Sequence, residues 1–232
     1  NDLSDDEVSL LSGYLGEGGK VMCLLGDTGL ASLPKLAGLL KDYGIEGADG
    51  YIADPQRCYQ NQPYYIFPVM NLSGDMADGI SSQMVLLMNS RGLTTTDPAR
   101  DTITTSAFMT TSEQAYAVTE EDQKQGTYDL GVVATETISS DSDSSDAASS
   151  ESDSSTDASS DSTSSDDTSA DTSTDISSDG SADSKESRLT VISAGSLIDQ
   201  QITDAFSQLE NTQVFMNAVT ANFDGVKNIS IE

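Results

Sequence analysis

The sequence predicts an α/β domain in which helices flank a mostly parallel sheet and a long disordered Ser/Asp-rich segment interrupts the chain. Three observations predict this fold class. Helical and strand-like segments alternate over the first 55 residues, strand-like segments lie on both sides of an acidic tract, and the tract itself has almost no apolar side chains.

The chain opens with a helix and a strand. Ser4 and Glu7 form the S-x-x-E pattern of a capping box, and apolar residues at helical spacing follow them. The next apolar run, KVMCLL at residues 20–25, is short, continuous and bounded by glycine. Such a run is typical of a strand that is covered on both faces.

A second helix and a second strand follow. Ser32 is the predicted N-cap of the helix, which carries an apolar stripe over residues 33–43 and ends at Gly44. GYIADP at residues 50–55 indicates a strand. Strand, helix and strand at this spacing predict a βαβ unit with two parallel strands and a right-handed crossover.

Strand-like segments continue through the middle of the chain. Residues 64–70 contain a proline that favours an edge strand, residues 84–88 form a buried apolar run, and residues 94–118 are rich in threonine. Residues 127–138, rich in Val, Thr and Ile, indicate the strongest strand.

The acidic tract spans residues 139–187. Its 49 residues include 22 Ser, 12 Asp and 2 Glu against one Lys, so its net charge is 1 − 14 = −13. Such a composition cannot bury enough apolar surface to offset the entropy of ordering, so we expect this segment to be disordered.

After the tract the sequence predicts a strand at 188–195 and two helices. The first helix spans 196–208 with Ser196 as its cap, and the second spans 212–223. A short final strand or tail follows at 228–232. About 45 residues are marginal as an independent domain. We therefore expect residues 1–138 and 188–232 to fold together as one domain, with the strands on either side of the tract as neighbours in one sheet. Such an insertion is tolerable because loop closure costs only about 0.6 kcal/mol for each doubling of length.

Charge and composition exclude several classes of protein. The net charge is −29, and −29 + 13 = −16 without the tract, so nucleic acid would be repelled and is not an expected partner. No apolar run approaches the roughly 20 residues of a membrane helix. The chain has no leader sequence and starts almost inside its first helix, so we expect it to be a piece of a longer protein.

The sequence also argues against catalysis and against a resident metal or cofactor. It contains no His, no C-x-x-C and no G-x-S-x-G, so neither a zinc site nor a Cys–His or Ser–His nucleophile is expected. We interpret Cys23 as a core residue and Cys58 as a loop residue, unpaired rather than joined in a disulfide.

Four residues are candidates for binding a ligand. Ligands of parallel sheets bind beyond the carboxyl ends of the strands, and here those ends carry Asp27, Thr28 and Asp54, with Ser196 after the strand that follows the tract. The alternative is that the two aspartates only cap turns and helices. A hydrolase using Asp27 and Asp54 as paired acids is the least favoured possibility.

Four segments resemble, in order, the extracytoplasmic domain of the gliding-motility-type auxiliary component of ABC transport systems. They are LSDDEVSLLSGYLGEGGKVMCLLGD at 3–27, LPKLAGLLKDYGIEGADGYIADP at 33–55, TTSEQAY at 110–116, and residues 188–219, which begin RLTVISAGSLID. The resemblance implies a fold like that of the class I glutamine amidotransferases without their chemistry. It also implies a bacterial, membrane-anchored parent whose domain lies outside the cytoplasm.

The sequence therefore predicts a non-catalytic, extracytoplasmic accessory domain of an ABC-type export system. Its expected partner is a membrane permease or another subunit of the transport complex, with an envelope glycan as a further possibility. The alternative function is a bacterial surface polysaccharide-binding or adhesive module in which the acidic tract is a spacer.

Overall fold

The computed structural model of the chain describes residues 1–138 and 185–221. The disorder predicted for residues 139–187 falls outside the described residues, except at 185–187, which belong to a strand. The strand or tail predicted at 228–232 also lies outside them. Among the described residues, no helix is long and apolar enough to span a membrane.

The described chain forms twelve strands and four α-helices, with short 3-10 turns between some of them. The helices are α1 (Asp5–Gly16), α2 (Pro34–Asp42), α3 (Gln200–Ala205) and α4 (Asn211–Thr220). The strands are β1 (Lys20–Leu24), β2 (Ile45–Ala53), β3 (Cys58–Tyr59), β4 (Gln62–Ile66), β5 (Val69–Met70), β6 (Leu87–Met88), β7 (Arg91–Thr95), β8 (Ile103–Thr110), β9 (Tyr116–Val118), β10 (Gln123–Gln125), β11 (Asp129–Ile138) and β12 (Lys185–Ile192).

The main sheet is largely antiparallel, so the predicted fold class, a mostly parallel sheet flanked by helices, is wrong. Within the described residues the sheet has nine strands in the order β1-β12-β11-β7-β2-β9-β10, with β8 paired to β11 and β5 paired to β8. The one parallel pairing in this sheet of the described chain is β1 with β12. Among the described residues, strand content is 35% against 27% helix, which also differs from the prediction of a parallel sheet flanked by helices.

The predicted βαβ unit fails for a topological reason. β12, β11 and β7 all lie between β1 and β2, and the pairings from β12 to β2 are antiparallel at each step. β2 therefore runs opposite to β1, and α2 does not connect parallel neighbours. β1 also lies at one end of this strand order rather than in the middle of the sheet.

The strands on either side of the acidic tract pair directly with each other. β11 and β12 are antiparallel neighbours from Gly131 opposite Ile192 to Ile138 opposite Lys185. The ladder begins three residues earlier than residue 188, where the second strand was predicted. Two residues that are far apart in sequence, 138 and 185, are thus cross-strand partners.

The core consists of two hydrophobic clusters on opposite faces of the main sheet. Along β1, Met22 and Leu24 contact one cluster, and Val21 and Cys23 contact the other. Because successive side chains of a strand point to opposite faces, this alternation separates the clusters. One cluster includes side chains of α1 and α2, and the other includes side chains of α4. A second sheet has three strands in the order β3-β4-β6. Its Ile66 side chain belongs to the hydrophobic cluster that includes the α4 side chains.

The helix ends agree with the sequence in part. Ser4 and Glu7 form the predicted capping box of α1. The start of α2 is capped differently from the prediction: the Asp2 carboxylate, not Ser32, accepts hydrogen bonds from the backbone N–H groups of Lys35 and Leu36.

The helix predicted over residues 196–208 is also different. It is a 3-10 turn, Gly195–Ile198, followed by the short helix α3. The N-cap of α3 is Asp199, so Ser196 does not cap this helix.

Candidate functional site

Asp54 lies just after β2 and is completely buried, with none of its surface exposed. Its carboxylate accepts four hydrogen bonds, from the backbone N–H groups of Gln56, Arg57 and Ser112 and from the Ser112 hydroxyl, at 2.8–3.1 Å. These bonds tie the end of β2 to the segment that follows β8. Asp54 therefore organises two turns, as aspartate often does.

Asp27 and Thr28 follow β1 in an exposed loop. The Asp27 backbone carbonyl accepts two hydrogen bonds from the Arg91 guanidinium, from Nε at 3.1 Å and from Nη2 at 2.6 Å. The loop after β1 thus holds the side chain of an arginine at the start of β7.

Ser196 is partly buried and bonds to the backbone of Met88. Its hydroxyl accepts a hydrogen bond from the Met88 N–H at 2.9 Å and donates one to the Met88 carbonyl at 3.1 Å. Ser196 therefore fixes the end of β6 and with it the next residue, Asn89, whose φ of 52° lies in the left-handed region.

The structure does not join these four residues into one cluster. The hydrogen bonds of Asp27, Asp54 and Ser196 go to different partners, and no described contact links the two aspartates. Two of the predicted residues instead bond to residues at a cleft. Asp27 accepts hydrogen bonds from Arg91, which lines the cleft, and Ser196 bonds to Met88, the residue before Asn89.

That cleft, called here the Tyr51 cleft, has a volume of about 550 Å³. It is lined by Gly50, Tyr51, Tyr64, Asn89, Arg91, Val118, Thr119 and Glu120. Its volume falls within the range of about 300–1,000 Å³ typical of small-molecule sites. Two aromatic rings beside a few polar groups are the composition that such sites usually show.

The backbone brings the cleft residues together. Tyr51 on β2 is paired with Arg91 of β7 on one side and with Val118 of β9 on the other. Gly50 has a φ of 85°, and a Cβ at this position would lie 2.1 Å from the Val118 carbonyl oxygen. Glycine is therefore required where β2 passes β9.

Arg91 is the main electrostatic feature of the cleft. Its Cζ atom lies 3.7 Å from the centroid of the Tyr51 ring, which is a cation–π contact. Among the described residues its guanidinium forms no ion pair, and its Nη1 atom has no hydrogen-bond partner. A fixed arginine with unused donors faces a cleft in a strongly acidic protein.

A second, more polar depression, called here the Arg57 groove, adjoins Asp54. It has a volume of about 590 Å³ and is lined by Gln56, Arg57, Val69, Thr110, Thr111, Ser112, Glu113, Gln114 and Thr127. Arg57 also donates to backbone carbonyls, those of Phe67 and Pro68. No aromatic ring lines this groove.

Glu136 and Cys23 are two further titratable groups of the described chain, and both are held within the fold. Hydrogen bonds from the Arg100 guanidinium lower the pKa of the Glu136 carboxyl, with burial acting in the opposite direction. Burial raises the pKa of the Cys23 thiol, which disfavours the reactive thiolate, and both Cys23 and Cys58 are unpaired. In the described ranges, no group of three or more Cys, Asp or Glu side chains is arranged to hold a metal ion.

Sequence reasoning missed the residues that line the Tyr51 cleft. The sequence predicts Tyr51 only as part of a strand, and Arg91 and Asn89 lie in the stretch NSRG, between two predicted segments. The available signal was an arginine between a Ser and a Gly in a chain with only 10 basic residues against 39 acidic ones.

Comparison with known proteins concerns the fold. No protein-family model matches the chain, and no curated protein matches it. The structure is similar to that of the mmIFT52 N-terminal domain, with a TM-score of 0.54 and 13% sequence identity over 99% of this chain and 75% of that chain. At this identity the likeness shows a shared fold alone.

Proposed function

We propose that this chain is a non-catalytic binding domain that works outside the cytoplasm, as an accessory part of an ABC-type export system. In this proposal its parent protein is anchored in the cell membrane. The domain contacts a membrane permease or another subunit of the transport complex. The transport role comes from the sequence resemblance, and the binding role is supported by one structural observation, the Tyr51 cleft.

The residues that could do chemistry support a binding role over a catalytic one. The chain contains no His to act as a base at neutral pH. The Asp54 carboxylate is occupied by four hydrogen bonds within the fold, and the pKa of Cys23 is raised rather than lowered. The cleft, in contrast, presents the Tyr64 ring and the Arg91 guanidinium to a partner.

A glycan-binding module is the second candidate function. The observation that favours it is the pair of tyrosine rings, Tyr51 and Tyr64, beside the amide of Asn89 and the carboxylate of Glu120. Aromatic rings offer apolar faces, and neighbouring polar groups offer hydrogen bonds to hydroxyls.

Site-specific crosslinking in native membranes tests the proposal. A photoreactive phenylalanine analogue replaces Tyr64, in the cleft, or Lys41, on the exposed side of α2, in the full gene product. We expect the probe at position 64 to crosslink a permease or another transporter subunit, identified by mass spectrometry, and the probe at position 41 not to do so. Equal crosslinking from both positions, or no transporter subunit from either, would refute the proposal, and a glycan adduct at position 64 would replace it with the second candidate.

A further inference from the structure

The Tyr51 cleft contains a cation that the rest of the described chain leaves unneutralised. Lys35, Lys41 and Arg100 each form an ion pair with a carboxylate. Within the described ranges neither Arg91 nor Arg57 forms such a pair, and the Arg91 guanidinium donates there only to the Asp27 carbonyl. A carbonyl oxygen satisfies two donors but leaves the positive charge without a counter-charge.

The orientation of the Arg91 guanidinium is set before any ligand arrives. Two hydrogen bonds to Asp27 hold one edge of the fork, and the Tyr51 ring lies 3.7 Å from its Cζ atom. Nη1 has no hydrogen-bond partner in the part of the chain that the structure describes. Because the guanidinium group is already held in place, it loses little conformational entropy when it forms a further hydrogen bond. The Nη1 donors are therefore preorganised for binding.

A second donor lies on the same cleft. The side-chain amide of Asn89 has no hydrogen-bond partner among the described residues, while its backbone N–H donates to the Tyr64 carbonyl at 3.1 Å. Asn89 adopts a left-handed φ of 52°, which non-glycine residues seldom do. The two bonds between Ser196 and Met88 hold the backbone just before it.

From these contacts we infer that the Tyr51 cleft binds a carboxylate joined to a flat apolar group. The carboxylate accepts hydrogen bonds from Arg91 Nη1 and from the Asn89 amide, and the flat group packs against the Tyr64 ring. Charge-assisted hydrogen bonds from arginine to a carboxylate are roughly twice as strong as hydrogen bonds between neutral groups. Glu120, at the same cleft, disfavours ligands that carry a second negative charge near it.

This inference deepens the proposed function by naming a ligand class, and it rests on the binding role of the cleft but not on any transport partner. The crosslinking experiment asks which protein the cleft meets in a membrane. The experiment below asks what the isolated 232-residue chain binds, so each can fail while the other succeeds.

Nuclear magnetic resonance titration of the full chain with benzoate tests the inference, with benzamide as the uncharged control of the same shape. We expect benzoate to shift the Arg91 Nε–H and Asn89 amide signals saturably and benzamide to leave them nearly unchanged. Arg91→Gln weakens benzoate binding by about tenfold, the loss of one charge-assisted bond. Arg57→Gln is the matched control, since Arg57 also binds carbonyls beside a depression of similar volume, and it retains wild-type affinity.

Asn89→Gly keeps the test valid if Arg91→Gln does not fold. Glycine accepts the left-handed φ without strain and removes the amide, so the chain folds and binds benzoate several-fold more weakly. A short peptide ending in phenylalanine, as the free acid and as the amide, forms a second arm. If the peptide acid binds more tightly than benzoate, the ligand carboxylate is the C-terminus of a polypeptide. If benzoate binds more tightly, the ligand is a small free acid.

Two results overturn the inference. One is equal shifts with benzoate and benzamide, or no saturable shift with either up to their solubility limits. The other is an equal loss of affinity in Arg57→Gln and Arg91→Gln, which would show that the cleft itself is not the site.

Discussion

Replacing the Asp54 carboxylate should destabilise the fold, because both of its oxygens accept hydrogen bonds from buried donors. Oδ1 accepts from the N–H groups of Gln56 and Arg57 and from the Ser112 hydroxyl, and Oδ2 accepts from the Ser112 N–H alone. Asp54→Ala removes both oxygens. Asp54→Asn keeps the three bonds to Oδ1 when its carbonyl oxygen takes that place, and then its NH₂ group faces the Ser112 N–H.

The magnitudes follow from the buried donors. Asp54→Ala leaves the N–H and the hydroxyl of Ser112 without an acceptor, at about 1–3 kcal/mol each, so the free energy of unfolding falls by about 2–6 kcal/mol. The N–H groups of Gln56 and Arg57 are nearer the surface and can bond to water. Asp54→Asn keeps the Ser112 hydroxyl bonded, but it leaves two buried donors, the Ser112 N–H and the new NH₂ group, without an acceptor, and so it also costs about 2–6 kcal/mol. For a domain of this size, Asp54→Ala corresponds to a fall in Tm on the order of 10 °C.

Urea denaturation followed by far-ultraviolet circular dichroism measures these changes, since the chain contains no Trp to serve as a fluorescent probe. Gln56→Ala is the control, because it keeps the backbone N–H that Asp54 binds, and it should change stability by less than about 0.5 kcal/mol. The reasoning is refuted if Asp54→Ala or Asp54→Asn costs less than about 1 kcal/mol.

Three further predictions concern other contacts. Burial raises the pKa of Glu210, but hydrogen bonds from the N–H and hydroxyl groups of Ser81 and Ser82 outweigh it and lower the pKa to about 2. The resulting stabilisation is present above the ordinary pKa of a Glu carboxyl and is lost as the pH falls toward 2. The Tm of wild type should therefore exceed that of Glu210→Gln by less at pH 2.5 than at pH 7. An unchanged difference in Tm would contradict the lowered pKa of Glu210. Gly50→Ala should lower the free energy of unfolding in urea by at least about 2 kcal/mol, because Gly50 has a positive φ and lies close to the Val118 carbonyl. Its control, Gly38→Ala, has open space in α2 and should raise that free energy by about 0.5–1 kcal/mol. Similar effects at both positions would be inconsistent with the backbone contact at Gly50. Asn211→Ala should cost about 2–4 kcal/mol by the same assay, since the buried Asn211 amide bonds to the backbone of Leu86 and Leu197, and a loss below about 1 kcal/mol would mean that water replaces those bonds.

Local features of the fold could be predicted from the sequence because their causes are local. The capping box at Ser4 and Glu7 forms as predicted, and Gly44 ends α2 with a φ of 73°. The two strands beside the acidic tract were predicted as neighbours, and they pair. The capping box and the helix end depend on a few adjacent residues, whereas the strand pairing was inferred from two apolar patterns on either side of a tract that lacks them.

Strand order could not be predicted in the same way. The space beside β1 is taken by β12, which comes from the other end of the chain, so the spacing of β1 and β2 in sequence carried no information about their pairing. β2 itself is nine residues long rather than six, because Gly47 and Gly50 fit where side chains would collide with Leu30 and Val118. Both glycines of β2 lie at sites of close approach, where a Cβ would collide with a neighbour.

The candidate site shows the same limit. Asp27, Asp54 and Ser196 were predicted from their positions after strands, and that rule holds for parallel sheets. In a largely antiparallel sheet the ends of strands do not gather at one edge, so these residues bond to separate partners. The cleft forms where β2, β7 and β9 meet, and that meeting depends on pairings between distant segments.

The ladder between β11 and β12 has a consequence for how the gene can be cut and rejoined. Ile138 and Lys185 are opposite each other, so both sides of a break made anywhere between them remain held in the sheet by the other strand. A reporter domain whose own ends lie close together could be spliced in at the same place without altering strand register.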